Sequence, residues 1–148
     1  MKALIDGDLC LWRVGCTTDE DPEWVAKARI DEVIGGIVKD TNASEHQIYI
    51  SDSRENNFRT KLYPLYKATR KDYKPVHYNF LKEYLILNWG AKIAHGMEAD
   101  DALGINQNQE AEYGFEGFGT IICSIDKDLL QIPGLHYNFV KKELKKIV

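Results

Sequence analysis

Residues 2–8 read KALIDGD, and this short stretch sets the pattern from which the fold follows. The apolar run Lys2–Ile5 predicts a buried strand, which Asp6-Gly7-Asp8 brings to an end. The same arrangement returns at residues 47–52, QIYISD, and at residues 120–126, TIICSID. Each of these predicted strands therefore delivers a carboxylate at its C-terminal end.

Helical periodicity fills the intervals between the strands. Asp21-Pro22 predicts a helix N-terminus, and apolar residues then recur at helical spacing up to about Lys39. Further elements are predicted as a helix over Val76–Trp89 capped by Gly90, a strand over Ala91–His95, a short helix and turn over Leu129–Gly134, and a strand over Leu135–Val140. This alternation predicts an α/β fold, a mainly parallel sheet with helices on both faces.

An acidic helix start is predicted at residues 97–104, MEADDALG, where three carboxylates occupy four positions. Like charges repel, so carboxylates grouped beside apolar residues favour a bound cation, and Mg²⁺ and Mn²⁺ prefer such oxygen ligands. A plain helix start explains the same residues, because acidic side chains suit the positive end of the helix dipole. Taken alone, the stretch leaves both interpretations open.

Seven carboxylates follow predicted strands: Asp6, Asp52, Glu98, Asp100, Asp101, Asp126 and Asp128. The carboxyl ends of parallel strands share one edge of a sheet, and ligands bind along that edge. So many carboxylates exceed what helix capping requires, and they predict a site for Mg²⁺ or Mn²⁺. Two such ions roughly 4 Å apart can activate water for phosphoryl displacement, so the predicted substrate is a phosphate ester.

The stretch from Arg54 to Lys74 is strongly basic, with seven basic residues against two acidic ones, although the whole protein has a net charge of -4. It also contains tyrosines, whose rings can stack on unpaired bases. The side chains predicted to contact nucleic acid are Arg54, Arg59, Lys61, Tyr66, Lys67, Arg70, Lys71 and Lys74. An ordinary solvated loop is the alternative interpretation of the same stretch.

Length and composition predict one soluble, cytoplasmic domain over residues 1–148, since the chain has 148 residues of which 44% are hydrophobic. No apolar run approaches the roughly 18 residues of a membrane span. The three cysteines have no metal-type spacing and predict no disulfide framework. Within the domain, residues 53–75 are expected to form a loop over the metal edge and residues 141–148 a basic tail.

Four groups of residues occur in one order along nearly the whole chain: LIDGD at 4–8; SDS at 51–53 with YPLYKATRK at 63–71; EADD at 98–101; and SIDKDLLQIP at 124–133. Together they resemble the 5′ nuclease family. That family includes bacteriophage 5′-to-3′ exonucleases, flap endonucleases and the 5′ nuclease domain of bacterial DNA polymerase I. The resemblance implies a PIN-like α/β nuclease domain with the seven carboxylates as metal ligands or their neighbours.

The resemblance also implies an activity: metal-dependent hydrolysis of phosphodiester bonds at single-stranded 5′ ends and flaps of DNA, or in RNA–DNA hybrids. Asp6 and Asp126 would belong to the catalytic centre. Residues 53–75 would form the family's arch or clamp, where Tyr66, Lys67 and Arg70 match, and the lysine and arginine would meet the scissile phosphate.

One departure from the family concerns the end of the sequence. Relatives continue into a helix-hairpin-helix segment that grips duplex DNA and adds aspartates to the second metal site, whereas this sequence stops at Val148. A second ion is therefore expected to bind more weakly, or a companion chain to supply the missing segment.

Two alternatives follow. The chain could be a DNA-binding and metal-binding subunit that cleaves only with such a partner. Asp6-Gly7-Asp8 also resembles the start of a haloacid-dehalogenase-type phosphatase, but Asp100-Asp101 precede Lys127, the opposite of that family's order.

Overall fold

The computed structural model describes residues 2–51, 75–94, 96–110 and 119–147. In chain order the elements are β1 (Lys2–Asp6), α1 (Gly7–Thr17), α2 (Glu23–Thr41), β2 (Glu45–Ser51), α3 (Tyr78–Trp89), β3 (Lys92–Ala94), α4 (Ala99–Glu110), β4 (Thr120–Cys123), a 3-10 helix (Lys127–Gln131), β5 (Gly134–Asn138) and β6 (Glu143–Ile147). No helix within these ranges combines the length and the apolar character needed to cross a membrane.

The strands form one sheet in the order β3-β2-β1-β4-β5-β6. Strands β1 to β5 pair in parallel, and β6 pairs antiparallel to β5. The predicted α/β fold with a mainly parallel sheet is thereby confirmed. Its strand order reverses between β1 and β4, and such a reversal is where parallel sheets bind their ligands.

Helices cover both faces of the sheet because the chain changes direction at that reversal. It proceeds from β1 to β2 and β3 on one side, and then crosses back to β4 on the other side of β1. Parallel crossovers are right-handed, so the return connection through α4 must lie on the opposite face from α1, α2 and α3.

Alternating residues of the strands pack into two separate hydrophobic cores, one on each face of the sheet. Ala3 and Ile5 of β1 join the larger core under α1, α2 and α3, which includes Ile30, Ile34 and Leu81. Leu4, between them, points to the other face. There it packs with Leu103 of α4, Ile122 of β4 and Leu129 of the 3-10 helix. The period-two pattern of buried strands is thus satisfied on both sides.

Two elements differ from the sequence predictions. No helix is predicted directly after Asp8, yet α1 begins at Gly7, with Asp6 as its N-cap. The lysines expected in a basic tail lie instead in a turn and in β6, which pairs with β5. Lysine-rich segments have little intrinsic strand preference, so this strand arises from pairing with its neighbour.

The boundary of α2 also shifts slightly. Pro22 occupies the N-cap position and makes no side-chain cap hydrogen bond. Gly90 caps α3 in the left-handed conformation, as its position in the sequence predicts.

Candidate active site

Asp6 stands at the strand-order reversal, where β1 ends between β2 and β4. Its side chain is buried, with 1% of its surface exposed. One carboxylate oxygen, Oδ1, accepts a hydrogen bond from the backbone N–H of Leu9 at 3.3 Å, which caps α1. A buried carboxylate is costly unless hydrogen bonds or cations offset its charge, so this position needs further partners.

Ser124 links Asp6 to the segment after β4. Its hydroxyl donates to Asp6 Oδ2 at 3.0 Å and accepts from the backbone N–H of Asp126 at 3.1 Å. We call this pair of contacts the Ser124 bridge. It fixes the start of the turn that carries Asp126 next to the carboxylate of Asp6.

Ser51 makes a corresponding link on the other side of β1. Its backbone N–H donates to Asp8 Oδ1 at 3.0 Å, and its hydroxyl donates to Asp8 Oδ2 in a short hydrogen bond. The same hydroxyl accepts from the backbone N–H of Ala99, the first residue of α4, at 2.8 Å. This Ser51 bridge holds the start of the acidic helix against the end of β2 and the start of α1.

The acidic helix begins with a local hydrogen-bond pair. Asp101 Oδ2 accepts from the backbone N–H of Glu98 at 3.3 Å, as the third-position side chain of a capping box does. Glu98 is itself buried, at 5% exposed. For Asp101, the helix-start interpretation of the sequence is therefore supported by geometry, and a capping carboxylate still has lone pairs with which to bind a cation.

Gly7, the first residue of α1, allows the start of this helix to lie close against β2. A Cβ atom at this position would lie 2.7 Å from the carbonyl oxygen of Tyr49 and 2.8 Å from Cγ2 of Ile48. Only glycine fits between Asp6 and Asp8 without moving β2, and β2 ends at Ser51.

The carboxylates influence their buried neighbours. Burial raises the pKa of the Cys10 thiol well above its ordinary value, and the charges of Asp6 and Asp8 raise it further. Burial, with the charge of Asp8, raises the pKa of Tyr78 to about 12. Both groups stay protonated near neutral pH, so neither serves as a base or thiolate nucleophile here. The negative charges of Asp6 and Asp8, which add to the effect of burial, would also favour a bound cation.

The structure brings several predicted ligands to one edge. Asp6, Glu98, Asp101 and Asp126 lie at the carboxyl ends of β1 and β4 or at the start of α4. Asp100 falls in α4 and Asp128 in the 3-10 helix, but the side chains of both are outside the described part, as is all of Asp52. The predicted nucleic-acid contacts at Arg54, Arg59, Lys61, Tyr66, Lys67, Arg70, Lys71 and Lys74 also lie outside the described residues.

The donor chemistry suits a hard divalent cation, because every one of these ligands offers carboxylate oxygen. In the part of the chain that the structure describes, no three His, Cys, Asp or Glu side chains are grouped closely enough to hold a metal ion. A complete ligand set would therefore require Asp52, Asp100 or Asp128 beside the described carboxylates.

The two bridging serines, and Asp8 as the acceptor in the Ser51 bridge, are not among the residues that the sequence predicts for the site. A signal for them exists in the sequence. Ser51 and Ser124 each stand at the end of an apolar strand, one and two residues before an aspartate. Such a hydroxyl can donate to one carboxylate and accept from a backbone N–H at once.

Comparison with known proteins gives two kinds of match. No curated protein matches the chain. Among solved structures, one of bacteriophage T5 5′-exonuclease with bound zinc ions matches at a TM-score of 0.69 and 16% identity, over 99% of this chain and 58% of that one. A complex of bacteriophage T5 flap endonuclease with DNA and metal ions matches at 0.69 and 15% identity, over 98% of this chain and 57% of that one.

This chain thus spans little more than half the length of those phage proteins. At such low identity the likeness establishes the fold. A family model supplies the sequence relationship: the model described as the 5′-3′ exonuclease N-terminal resolvase-like domain matches residues 3–147, nearly the whole sequence. The chain therefore belongs to the family of 5′-3′ exonuclease N-terminal resolvase-like domains.

Proposed function

We propose that this chain is a divalent-metal-dependent 5′ nuclease that hydrolyses phosphodiester bonds in DNA. The observation that supports this most strongly is the Ser124 bridge, which places Asp6 and the segment of Asp126 together at the strand-order reversal of a 5′-3′ exonuclease-type domain. The proposed substrates are single-stranded 5′ ends and flaps of DNA, and RNA–DNA hybrids are a second substrate class to test. The family relationship gives no support to the phosphatase alternative.

The metal ligands would come from both sides of the bridge. Asp6, Asp126, Glu98 and Asp101 supply carboxylate oxygens from the described edge, and Asp52, Asp100 and Asp128 would complete the set. When bound, Mg²⁺ or Mn²⁺ would lower the pKa of water and stabilise charge on the phosphate oxygens. We propose two ions, and titration of the chain with Mn²⁺ by calorimetry would count them and test whether the second binds more weakly.

The protein's own residues would orient the ligands. Asp6 cannot rotate freely, because its two oxygens accept from Leu9 and Ser124. The Ser51 bridge limits movement of α4 and hence of its carboxylates. Lys67 and Arg70 are proposed to contact the scissile phosphate, with the remaining basic residues of 54–74 along the DNA strand. Positive side chains at that phosphate would stabilise the charge that develops during cleavage.

The test is cleavage of a 5′-labelled single strand and of a flap substrate with Mg²⁺ or Mn²⁺, and with chelator. Asp126→Asn and Asp100→Asn should each lower the cleavage rate by orders of magnitude, because each removes a proposed metal ligand. The fold should stay intact, because each substitution also removes like-charge repulsion. Glu32→Gln, an exposed carboxylate of α2, is the control. Parental rates in both variants would contradict the metal site. DNA binding without cleavage would favour the partner-dependent subunit.

Lys67→Ala and Arg70→Ala separate phosphate contact from metal binding. Each should slow single-turnover cleavage, while calorimetry should show parental Mn²⁺ affinity, because neither side chain is a proposed ligand. A loss of metal affinity that matches the loss of rate would contradict their assignment to the phosphate.

A further inference from the structure

Among the described residues, only part of the sheet face on which α4 packs is covered. Helix α4 packs against β1, β2, β3 and β4. Farther along the sheet, His136 of β5 lies beside Ile122 of β4, and Lys145 of β6 lies beside His136. Residues paired across a ladder point to the same side, so His136 and Lys145 share the face on which α4 packs. Asn138 and Glu143 form the next pair on that face.

A cavity of about 480 Å³ occupies this part of the face. One wall is the 3-10 helix, through Leu129 and Leu130, and the other is the β5–β6 hairpin, through Val140 and its neighbours. Ser124 and Asp126 also line it, so the cavity is continuous with the carboxylate edge. Its volume lies within the range of roughly 300–1,000 Å³ that is usual for small-molecule sites.

The hairpin that closes the cavity is basic in an otherwise acidic protein. Residues 141–146 contain four lysines and one glutamate, against a net charge of -4 for the whole chain. Lys141 and Lys145 line the cavity directly. His136 adds no positive charge near neutral pH, because burial lowers its pKa. The charged side chains that line the cavity are therefore two lysines, Lys141 and Lys145, and two carboxylates, Asp126 and Glu143, beside the apolar side chains.

We propose that this cavity binds one nucleotide of the DNA strand beside the scissile phosphate. Leu129, Leu130 and Val140 offer apolar contact to a base, while Lys141 and Lys145 lie within the same cavity for the phosphates. The proposal rests on the proposed nuclease function and adds a substrate position to it. Lysines on an exposed edge strand also prevent that strand from pairing with strands of other chains. That role would not require a cavity beside the lysines.

Binding is measured by fluorescence anisotropy of a labelled, 5′-phosphorylated single strand in the presence of chelator, so that no cleavage occurs. The double variant Lys141→Ala/Lys145→Ala should bind at least tenfold more weakly. The slope of log affinity against log salt should fall by roughly 0.7 for each phosphate contact removed. Lys92→Ala is the matched control, an exposed strand lysine of β3, at the opposite edge of the sheet from β6.

A second pair of variants tests the cavity itself. Val140→Trp should fill it and weaken binding of the single strand, and of a deoxynucleoside monophosphate, by tenfold or more. Leu144→Trp places the same side chain in the same hairpin, but on the other face from Glu143 and Lys145. Leu144 is 62% exposed, so its replacement should leave binding unchanged. Circular dichroism with thermal melting confirms that each variant is folded.

Weaker binding in the lysine variant with parental binding in folded Val140→Trp would overturn the proposal, since the lysines would then act as surface charge alone. Parental binding in both variants, or no binding by the parent chain, would overturn it as well. A chain that binds through the cavity but does not cleave contradicts only the nuclease function. A chain that cleaves normally after the cavity is filled, and binds as before, contradicts only the nucleotide site.

Discussion

The two faces of the sheet are held by different forces. On one face, α1, α2 and α3 bury a broad apolar core in which Ile30, Ile34 and Leu85 are fully inaccessible. On the other face, α4 shares a small core of Leu4, Leu103 and their neighbours. We call these the three-helix face and the α4 face. The proposed metal ligands Glu98, Asp100 and Asp101 come from the helix on the α4 face.

Hydrogen bonds also hold α4 against the sheet, because the buried apolar core on this face is small. Gln107 is fully buried, and its Nε2 donates to the carbonyl oxygens of Pro133 at 3.2 Å and Leu135 at 3.1 Å. Its Oε1 accepts from the Thr120 hydroxyl at 3.0 Å. Apolar packing tolerates small sliding movements, but three directional bonds set the rotation of a helix. We infer from this contrast that the three-helix face supplies most of the stability, whereas contacts on the α4 face fix the position of α4.

The largest expected effect on stability lies in the three-helix face. Ile34→Ala should lower the free energy of unfolding by roughly 2–5 kcal/mol, because it removes buried methylenes and leaves a cavity. Urea denaturation measures this. Ile105→Ala on α4, where the side chain is 46% exposed, is the control and should cost under about 1 kcal/mol. Equal losses of unfolding free energy in both variants would contradict the proposed difference in stability between the two faces.

Gln107→Leu tests whether hydrogen bonds hold α4. The substitution leaves the partners at Pro133, Leu135 and Thr120 unsatisfied, and should cost roughly 1–3 kcal/mol. It should also weaken Mn²⁺ binding, measured by calorimetry, because the helix that carries the carboxylates would be less well fixed. Asn106→Ala removes a bond to Ala102 within the same helix and is the control. Unchanged metal affinity in folded Gln107→Leu would show that α4 is positioned by packing alone.

The two serine bridges allow a finer test. Ser124→Ala and Ser51→Ala should each lower stability by about 1 kcal/mol and reduce Mn²⁺ affinity, since each releases an aspartate and a backbone N–H together. Threonine keeps the hydroxyl, so Ser124→Thr should restore metal affinity. If alanine and threonine variants bind Mn²⁺ equally well, the Ser124 hydroxyl has no role in positioning Asp6.

The smallest effect concerns pH. Burial lowers the pKa of His136 in the folded protein, although the hydrogen bond that its Nε2 donates to Ile132 partly offsets this. The unfolded chain, with a pKa of about 6.5, then binds more protons than the folded one, so stability falls as pH decreases below that value. His136→Gln should reduce this fall between pH 7 and 5. An unchanged slope in urea denaturation would show that His136 is not its cause.

Residues with a regular period were predictable. Apolar runs ending in Asp6 and Asp126 follow from the strand pattern, and strands alternating with helices give the parallel sheet and its common edge. The bridges were not predictable in the same way. Ser124 and Asp6 are 118 positions apart, and nothing local in the sequence indicates which hydroxyl meets which carboxylate.

Other features depend on tertiary context in the same way. Gln107 has a polar side chain in a polar stretch of sequence, but it is buried because α4 crosses the start of β5. The lysines of residues 141–146 predict a basic tail, yet Lys145 and Lys146 lie in a strand because β5 offers an edge with which they pair. Asp101 illustrates a mixed case, since one carboxylate fits both a helix cap and a metal ligand.

The close approach at Gly7 has a consequence for mutational surveys. A library that substitutes every residue and selects for activity would mark position 7 as intolerant, beside Asp6 and Asp8, although glycine offers no functional group. Its intolerance would arise from the 2.7 Å to the carbonyl oxygen of Tyr49. A second-site change such as Ile48→Ala would remove the contact with Cγ2 but would leave the contact with the backbone carbonyl oxygen in place. Position 7 should therefore resist suppression, whereas losses at Ser124 should be recoverable by another hydroxyl.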